Sequence, residues 1–253
     1  MSVPHLHVLR HHPAAADGRP TVFLVHGSLD RATSFSRVVR RLPEHPVVSY
    51  DRRGYNRSRG LPVGTLADHV ADLVELVGAG PAVVVGHSFG GDVAMGAALA
   101  APEAVVGVAA YEPPMPWLDW WPRRARSGDE DPGRFAEAFF RRMVGEGSWE
   151  RLTDQARAER RADGPALMAE LTSLRTGPGP FDPGELRVPT VFGRGERAVA
   201  HHQRGVQELH RAVPGSTLVE IAGAGHGAHL SHPGGFAELV GTLVARVEHS
   251  TGD

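Results

Sequence analysis

The stretch Ala82-Val83-Val84-Val85-Gly86-His87-Ser88-Phe89-Gly90-Gly91 decides how the rest of this 253-residue chain is read. Ala82–Val85 is a short apolar run with three β-branched residues, the composition of a strand buried on both faces. The small residues from Gly91 to Ala101 read as a helix. Between the two lies Gly86-His87-Ser88-Phe89-Gly90, a Gly-x-Ser-x-Gly pattern on a sharp strand-to-helix turn. Such a turn pushes the serine hydroxyl out of the sheet edge, and glycine two places either side keeps Cβ atoms from clashing with it. The helix that starts there points backbone N–H groups at any developing negative charge. Chance alone gives about 0.2 such patterns in a chain of this composition, so the context must decide. A strand before and a helix after favour Ser88 as a nucleophile over a plain Ser-Gly turn.

Upstream, Val3–Leu9 alternates like an edge strand and Ala14–Pro20 reads as a loop. Thr21–Val25 is a buried strand running into His26-Gly27-Ser28. Phe35–Leu42 suits a short helix, and Val47–Tyr50 is a strand ending at Asp51-Arg52-Arg53-Gly54-Tyr55-Asn56-Arg57-Ser58. Thr65 with Asp68 forms a capping-box pattern, after which Leu66, Val70, Leu73, Val74 and Val77 recur at helical spacing until Gly78. Downstream, Pro102 breaks the chain and Val105–Tyr111 makes a strand leading into Glu112-Pro113-Pro114. Strands alternating with helices predict a parallel sheet covered on both faces.

From Pro114 to about Glu185 the strand signals vanish. Three helices are expected there, over Asp131-Pro132 to Gly145, Ser148 to Gly164 and Pro165 to Gly177, followed by a Pro/Gly hinge at Gly177–Gly184. Val188–Phe192 and Thr217–Ile221 resume the strands, and Pro233–Val247 closes the chain as a helix. The expected organisation is an α/β core in two parts, residues 1–113 and 186–253, with residues 114–185 inserted as a helical cap over the sheet edge.

The chain is long enough for one large α/β domain, and 41% hydrophobic with 22% charged residues is a globular composition. A net charge of −2 gives no electrostatic reason to expect nucleic acid or an anionic membrane as partner. All 27 basic residues are arginine, which removes lysine Schiff-base chemistry. With no cysteine there is no disulfide, thiolate nucleophile or Cys-ligated zinc. Met1–Pro13 is histidine-rich without an apolar core, and no apolar run approaches the ~18 residues of a membrane span. Neither a signal peptide nor a membrane span is therefore expected, and a cytoplasmic location is the default.

The Gly-x-Ser-x-Gly turn, the early His26-Gly27, the Asp51-x-Arg53-Gly54 stretch and the late Gly223-Ala224-Gly225-His226 together resemble the α/β-hydrolase family, over about Thr21 to Val240. The resemblance implies a mostly parallel, doubly wound sheet with an inserted helical cap. It also implies a triad in the chain order nucleophile, acid, histidine, which Ser88, Glu112 and His226 fit. Carried over by position, Ser88 would attack and His226 would take its proton. The backbone N–H groups of Ser28 and Phe89 would form the oxyanion hole, while Asp51 and Arg53 would tie down loops near it. No cofactor is called for, and the partner would be a small-molecule substrate; the oligomeric state is left open.

The acid is where this chain departs from the commonest family pattern. Many relatives carry an aspartate in the turn after the strand that follows the cap. Here the turn reads Gly195-Glu196-Arg197-Ala198. Glu112, one strand earlier, resembles the position used by haloalkane dehalogenases and becomes the first candidate, ahead of Glu196 and then Asp119. His226, His229 and His232 would need a helix to gather around a metal, which Gly225, Gly227 and Pro233 oppose, so no metal site is expected. His201-His202 reads as a solvated loop. Trp117, Trp120 and Trp121 crowd the start of the cap, and Trp117 and Trp120 are taken as candidate pocket residues beside a pure packing role. The clusters Arg123–Arg126 and Arg157–Arg161 read as solvated faces.

The resulting expectation is a serine hydrolase for a small or medium apolar ester, thioester or lactone, acting through an acyl-enzyme on Ser88. Carbon–carbon bond hydrolysis and perhydrolysis are neighbours on the same machinery. Dehalogenase and epoxide hydrolase chemistry would need aspartate at position 88. The rival from another class is a non-catalytic ligand receptor on the same fold.

Overall fold

The computed structural model describes residues 5–12, 18–122, 130–175 and 179–250. Seven strands form one sheet: β1 (Val8–His11), β2 (Thr21–Val25), β3 (Val47–Tyr50), β4 (Ala82–His87), β5 (Val105–Tyr111), β6 (Thr190–Gly195) and β7 (Thr217–Ile221). Their order across the sheet is β1-β3-β2-β4-β5-β6-β7. Only β1 runs antiparallel, pairing with β3; all other neighbours are parallel.

Ten α-helices accompany the sheet among the described residues. Those of the core are α1 (Ser36–Val39), α2 (Leu66–Val77), α3 (Phe89–Ala100), α8 (Ala200–Ala212), α9 (Ala228–Ser231) and α10 (Pro233–Ser250). Successive strand residues point to opposite faces, and each face has its own core. Phe23, Val25 and Val84 pack with Leu73 of α2, Val93 of α3 and Val206 of α8. Val22, Leu24 and Val85 pack with Val38 of α1 and Phe236, Leu239 and Leu243 of α10. The near-continuous Val/Leu/Ala composition of the central strands follows from this double coverage.

Between β5 and β6 the chain inserts α4 (Pro132–Val144), α5 (Glu146–Glu150), α6 (Asp154–Ala162) and α7 (Gly164–Ser173). Helix α4 starts where Asp131 accepts the Arg134 N–H and Pro132 fills the first turn. The single helix expected over Ser148–Gly164 is two. Thr153 turns its hydroxyl onto the Ala156 N–H and caps a new helix in mid-span. The insertion has a small core of its own, in which Phe140, Trp149 and Leu167 close over Leu29 and Tyr55 of the sheet loops. Removing a side chain as large as the buried Trp149 costs about 3–5 kcal/mol in such a setting. Ion pairs join the insertion to the loops after β2 and β3: Arg31–Glu159 at 3.0 Å, Arg59–Asp163 at 2.6 Å and Arg52–Glu170 at 3.0 Å.

Several expected boundaries move. The first strand is Val8–His11 rather than Val3–Leu9, whose first residues lie outside the described ones. The short helix is Ser36–Val39 behind a 3-10 turn, and β6 starts at Thr190. Parts of the Ala14–Pro20 loop and of the Gly177–Gly184 hinge, and all of Arg123–Arg126, lie outside the described residues. The larger correction is α8. His201 and His202 open a 13-residue helix, and His202 is buried, not solvated. Arg160, expected on a solvated face, is instead half-buried and donates to the Leu29 carbonyl.

Candidate active site

Ser88 sits at the junction of β4 and α3 with φ 54° and ψ −129°, a left-handed backbone that serine adopts only under constraint. Two hydrogen bonds supply it: Ser88 N–H donates to the Tyr111 carbonyl at 2.8 Å, and Gly91 N–H donates to the Ser88 carbonyl at 2.7 Å. The flanking glycines are required sterically. A Cβ on Gly86 would lie 2.0 Å from the Gly90 oxygen, and one on Gly90 would lie 2.2 Å from the Val25 oxygen. Phe89 is the first residue of α3, so its N–H has no acceptor within the helix.

Glu112 directly follows β5, fully buried, with φ 46°. Its Oε1 accepts the Gly195 N–H at 2.8 Å, and its Oε2 lies 2.8 Å from His226 Nδ1. That second contact puts the ring proton on Nδ1 and leaves Nε2 as an acceptor. The loop carrying His226 is fixed through its backbone: Tyr111 donates its hydroxyl to the Gly225 carbonyl at 2.8 Å, and His87 Nε2–H donates to the His226 carbonyl at 2.7 Å. Glu196 does not reach the imidazole; its carboxylate accepts the Gly223 N–H at 2.7 Å, and the side chain is exposed. Asp119 is exposed as well.

His226 is sandwiched between two further imidazoles, His87 with ring centroids 4.8 Å apart and His202 at 4.6 Å. Burial, reinforced by the neighbouring histidines, holds both His87 and His202 well below the usual imidazole range, so both are neutral at pH 7. Behind His87, His229 Nε2 lies 2.9 Å from Asp30 Oδ2. Burial opposes the Asp30 charge, but the His229 hydrogen bond and charge outweigh it and keep Asp30 ionised. Two sets of ligand-type atoms therefore gather within 4.8 Å, Asp30/His87/His229 and Glu112/His202/His226. In each set the carboxylate is already hydrogen-bonded to one imidazole. The trio His226, His229 and His232 is not gathered: His232 Nδ1 instead meets the Ser231 hydroxyl at 2.8 Å.

Ser28, Ser88 and His226 all open onto one cleft with two lobes. One lobe, about 440 Å³, is walled by Trp121, Pro114, Val199, His201 and Arg197; the other, about 650 Å³, by Leu29, Phe140, Met143, Val144 and Leu230. Trp121 is the tryptophan that reaches the cleft. Trp120 lies under Arg204, 4.1 Å from its ring, and donates Nε1–H to Glu208, both on α8. Trp117 packs edge-on to Phe181. Trp120 and Trp121 cover α8: a Cβ on Gly205 would sit 3.2 Å from the Trp121 ring and 3.8 Å from that of Trp120.

Behind Ser28 lies a buried array that sequence reasoning did not find. Asp51 holds loops as expected, accepting from Ala32 N–H at 2.8 Å and from the Asn56 side chain at 2.8 Å. Arg53 pairs with Asp72 on α2, away from Ser28. It is Arg52 that turns inward, fully buried, donating to the His26 carbonyl at 2.8 Å and the Gly27 carbonyl at 3.2 Å.

Residues 22–239 match the alpha/beta hydrolase family. That span is most of the chain, and it contains every residue of the cleft described above. The chain belongs to the alpha/beta hydrolase family. Within this family, it is 38% identical over 111 residues to Lipase LipV of Mycobacterium tuberculosis, across 43% of this chain and 41% of that protein. It is 36% identical over 95 residues to an sn-1-specific diacylglycerol lipase of Danio rerio, across 35% of this chain and 30% of that one. The matches thus span well under half the length of these curated relatives. Among solved alpha/beta hydrolase structures it resembles the enol-lactonase of Burkholderia xenovorans LB400 with a TM-score of 0.75 and 21% identity, over 95% of this chain and 96% of that one. At that identity the likeness is one of fold. No helix of the described residues is long and apolar enough to cross a membrane.

Proposed function

We propose that this chain is a serine hydrolase of small or medium apolar esters, thioesters or lactones, working through an acyl-enzyme on Ser88. The observation that carries the reading is the 2.8 Å contact between His226 Nδ1 and Glu112 Oε2 on the cleft that Ser88 also lines. With Nδ1–H held by the carboxylate, Nε2 is the lone pair that takes the Ser88 proton as Oγ attacks the substrate carbonyl carbon. Glu112 stabilises the imidazolium that forms and keeps its own charge. The carbonyl π electrons move to oxygen, and that oxyanion meets the N–H groups of Ser28 and Phe89. Each such donor is worth roughly 10²–10³ in kcat.

Collapse of the tetrahedral intermediate expels the alkoxide or thiolate, which receives the proton from His226 Nε2. Water then repeats the sequence on the acyl-enzyme, with His226 taking its proton and Ser88 Oγ leaving protonated. The larger lobe, walled by Leu29, Phe140 and Met143, suits an apolar acyl chain. Helices α4, α5 and α6 of the insertion act as the cap that walls it.

A panel of p-nitrophenyl esters from acetate to dodecanoate, together with γ- and δ-lactones and a vinylogous diketone, tests the reading. The expected result is kcat/KM highest for esters or lactones of intermediate chain length. Turnover of the diketone alone, with esters and lactones inert, would overturn it.

A further inference from the structure

The Gly27 carbonyl and the Ser28 N–H belong to one peptide unit, so whatever fixes the first aims the second. The unit is planar and trans, with C=O and N–H pointing in opposite directions. Two buried donors hold the carbonyl. His26 Nδ1 is 2.8 Å away, and Arg52 Nη2 is 3.2 Å away. The tautomer of His26 follows from its other nitrogen, since the Arg52 backbone N–H donates to Nε2 at 2.9 Å and leaves the proton on Nδ1. Burial, then the Arg52 charge, push His26 down to about 3, so it keeps that one tautomer. With the carbonyl drawn toward Arg52, the Ser28 N–H faces the other way, toward the cleft that Ser28 lines with Ser88 and His226.

Arg52 is in turn held by a residue of the insertion. Glu170 on α7 accepts from both Nη1 and Nη2 at 3.0 Å, and both side chains are wholly buried. The guanidinium also stands 4.8 Å from the ring of Phe89, whose N–H is the second expected oxyanion donor. Stability alone gives little reason for such a pair. Desolvating both ions costs several kcal/mol each, and apolar replacements of equal volume are often as stable. What apolar residues cannot do is donate to two successive carbonyls in a fixed fork.

We propose that Arg52 and Glu170 are positioning residues that aim the Gly27–Ser28 peptide, so that an ion pair reaching down from the insertion sets the oxyanion donor of the core. The proposal rests on the reading of Ser88 as nucleophile and Ser28 as donor. It makes the catalytic competence of the core depend on the seating of α7.

The test is the double variant Arg52→Met/Glu170→Leu in the full chain, compared with wild type and Ser88→Ala. Loss of a donor's aim, short of its removal, predicts kcat down roughly 10- to 100-fold with KM within about threefold. The affinity of an alkyl boronic acid, whose tetrahedral adduct on Ser88 carries the oxyanion's charge, should fall by the same factor. A folded double variant with wild-type kcat and boronate affinity would overturn the clamp. If the double variant does not fold, Arg52→Lys decides. Its ammonium can pair with Glu170 but lacks the fork that holds both carbonyls, so at least a roughly tenfold loss of kcat is expected, and wild-type kcat would refute the proposal. Wild-type turnover that survives Ser88→Ala would instead sink the serine-hydrolase reading, and the clamp with it.

Discussion

Glu112 is held at φ 46° and Ser88 at φ 54°, two non-glycine residues in a region costing on the order of 1–3 kcal/mol each. Neighbouring backbone over-determines both: Glu112 N–H donates to the Gly193 carbonyl at 2.9 Å, as Ser88 N–H does to Tyr111. The turn at Glu112 aims a carboxylate from the end of β5 at His226 Nδ1, while position 198 in the turn after β6 is alanine. Glu112→Gln should therefore lose at least about two orders of magnitude in kcat, by the tautomer argument that gives roughly 10⁴ for the acid of a protease triad. Glu196→Gln should lose less than about threefold, because its carboxylate serves only the Gly223 N–H. Steady-state kinetics on one ester decide it, and the reverse order of effects would move the acid to Glu196. A motif, a chain order and a missing aspartate pointed to Ser88, His226 and Glu112 in the sequence, and the fold places Ser88 and His226 on one cleft with Glu112 hydrogen-bonded to His226. Arg52 was not legible there. In Asp51-Arg52-Arg53 two adjacent arginines look alike, and only the direction of each side chain separates the buried fork from the partner of Asp72.

At the scale of elements, five of the seven strands fell where hydrophobic runs put them; for β2, β3, β4 and β5 the reason is coverage on both faces, which keeps a strand nearly continuous in apolar residues. Helix α8 escaped for the opposite reason. Its buried side is His202, Gly205, Val206 and Leu209, so two of the four inward positions carry no hydrophobic signal. That omission also hid what Trp120 packs on, since the surface it covers is α8 itself. Trp121→Ala should change the ratio of kcat/KM between long and short acyl esters by roughly 10-fold or more, as expected when a large cleft-lining side chain is removed. Trp120→Ala should leave the ratio within about twofold, although it loses its contacts with Arg204 and Glu208. A uniform change across the ester series for Trp121→Ala would mark it as a packing residue.

Across the whole molecule, the buried imidazoles dominate the response to acid. Burial is the first cause that holds His26, His69, His87 and His202 below the usual range. Their unfolded counterparts titrate near ~6.5, so below that pH the unfolded chain binds protons that the folded one refuses, and stability falls. Asp92 acts with the opposite sign. Buried in α3 and raised well above the usual carboxylate range, first by burial and then by Glu170, it keeps a proton that the unfolded chain would release, which favours the folded state as pH falls. His11, His45 and His201 are lowered as well, and Asp163 is raised like Asp92, so the lowered imidazoles outnumber the raised carboxylates and unfolding takes up protons as pH falls. Thermal unfolding followed from pH 7.5 to 5 should show Tm falling steeply below about 6.5. A Tm constant over that range would mean that the imidazoles are not buried as neutral groups. None of this was legible in the sequence, where fifteen histidines carry no mark of which are buried.

The proposed chemistry turns on covalent acylation of Ser88 with His226 as its base. Intact-protein mass spectrometry after treatment with an alkyl fluorophosphonate tests it most directly, since the probe phosphonylates an activated serine with loss of fluoride. One adduct per chain is expected, located on Ser88 by peptide mapping, absent in Ser88→Ala and formed at least about a hundredfold more slowly in His226→Ala. An unlabelled wild-type protein, or an adduct that persists in Ser88→Ala, would contradict it.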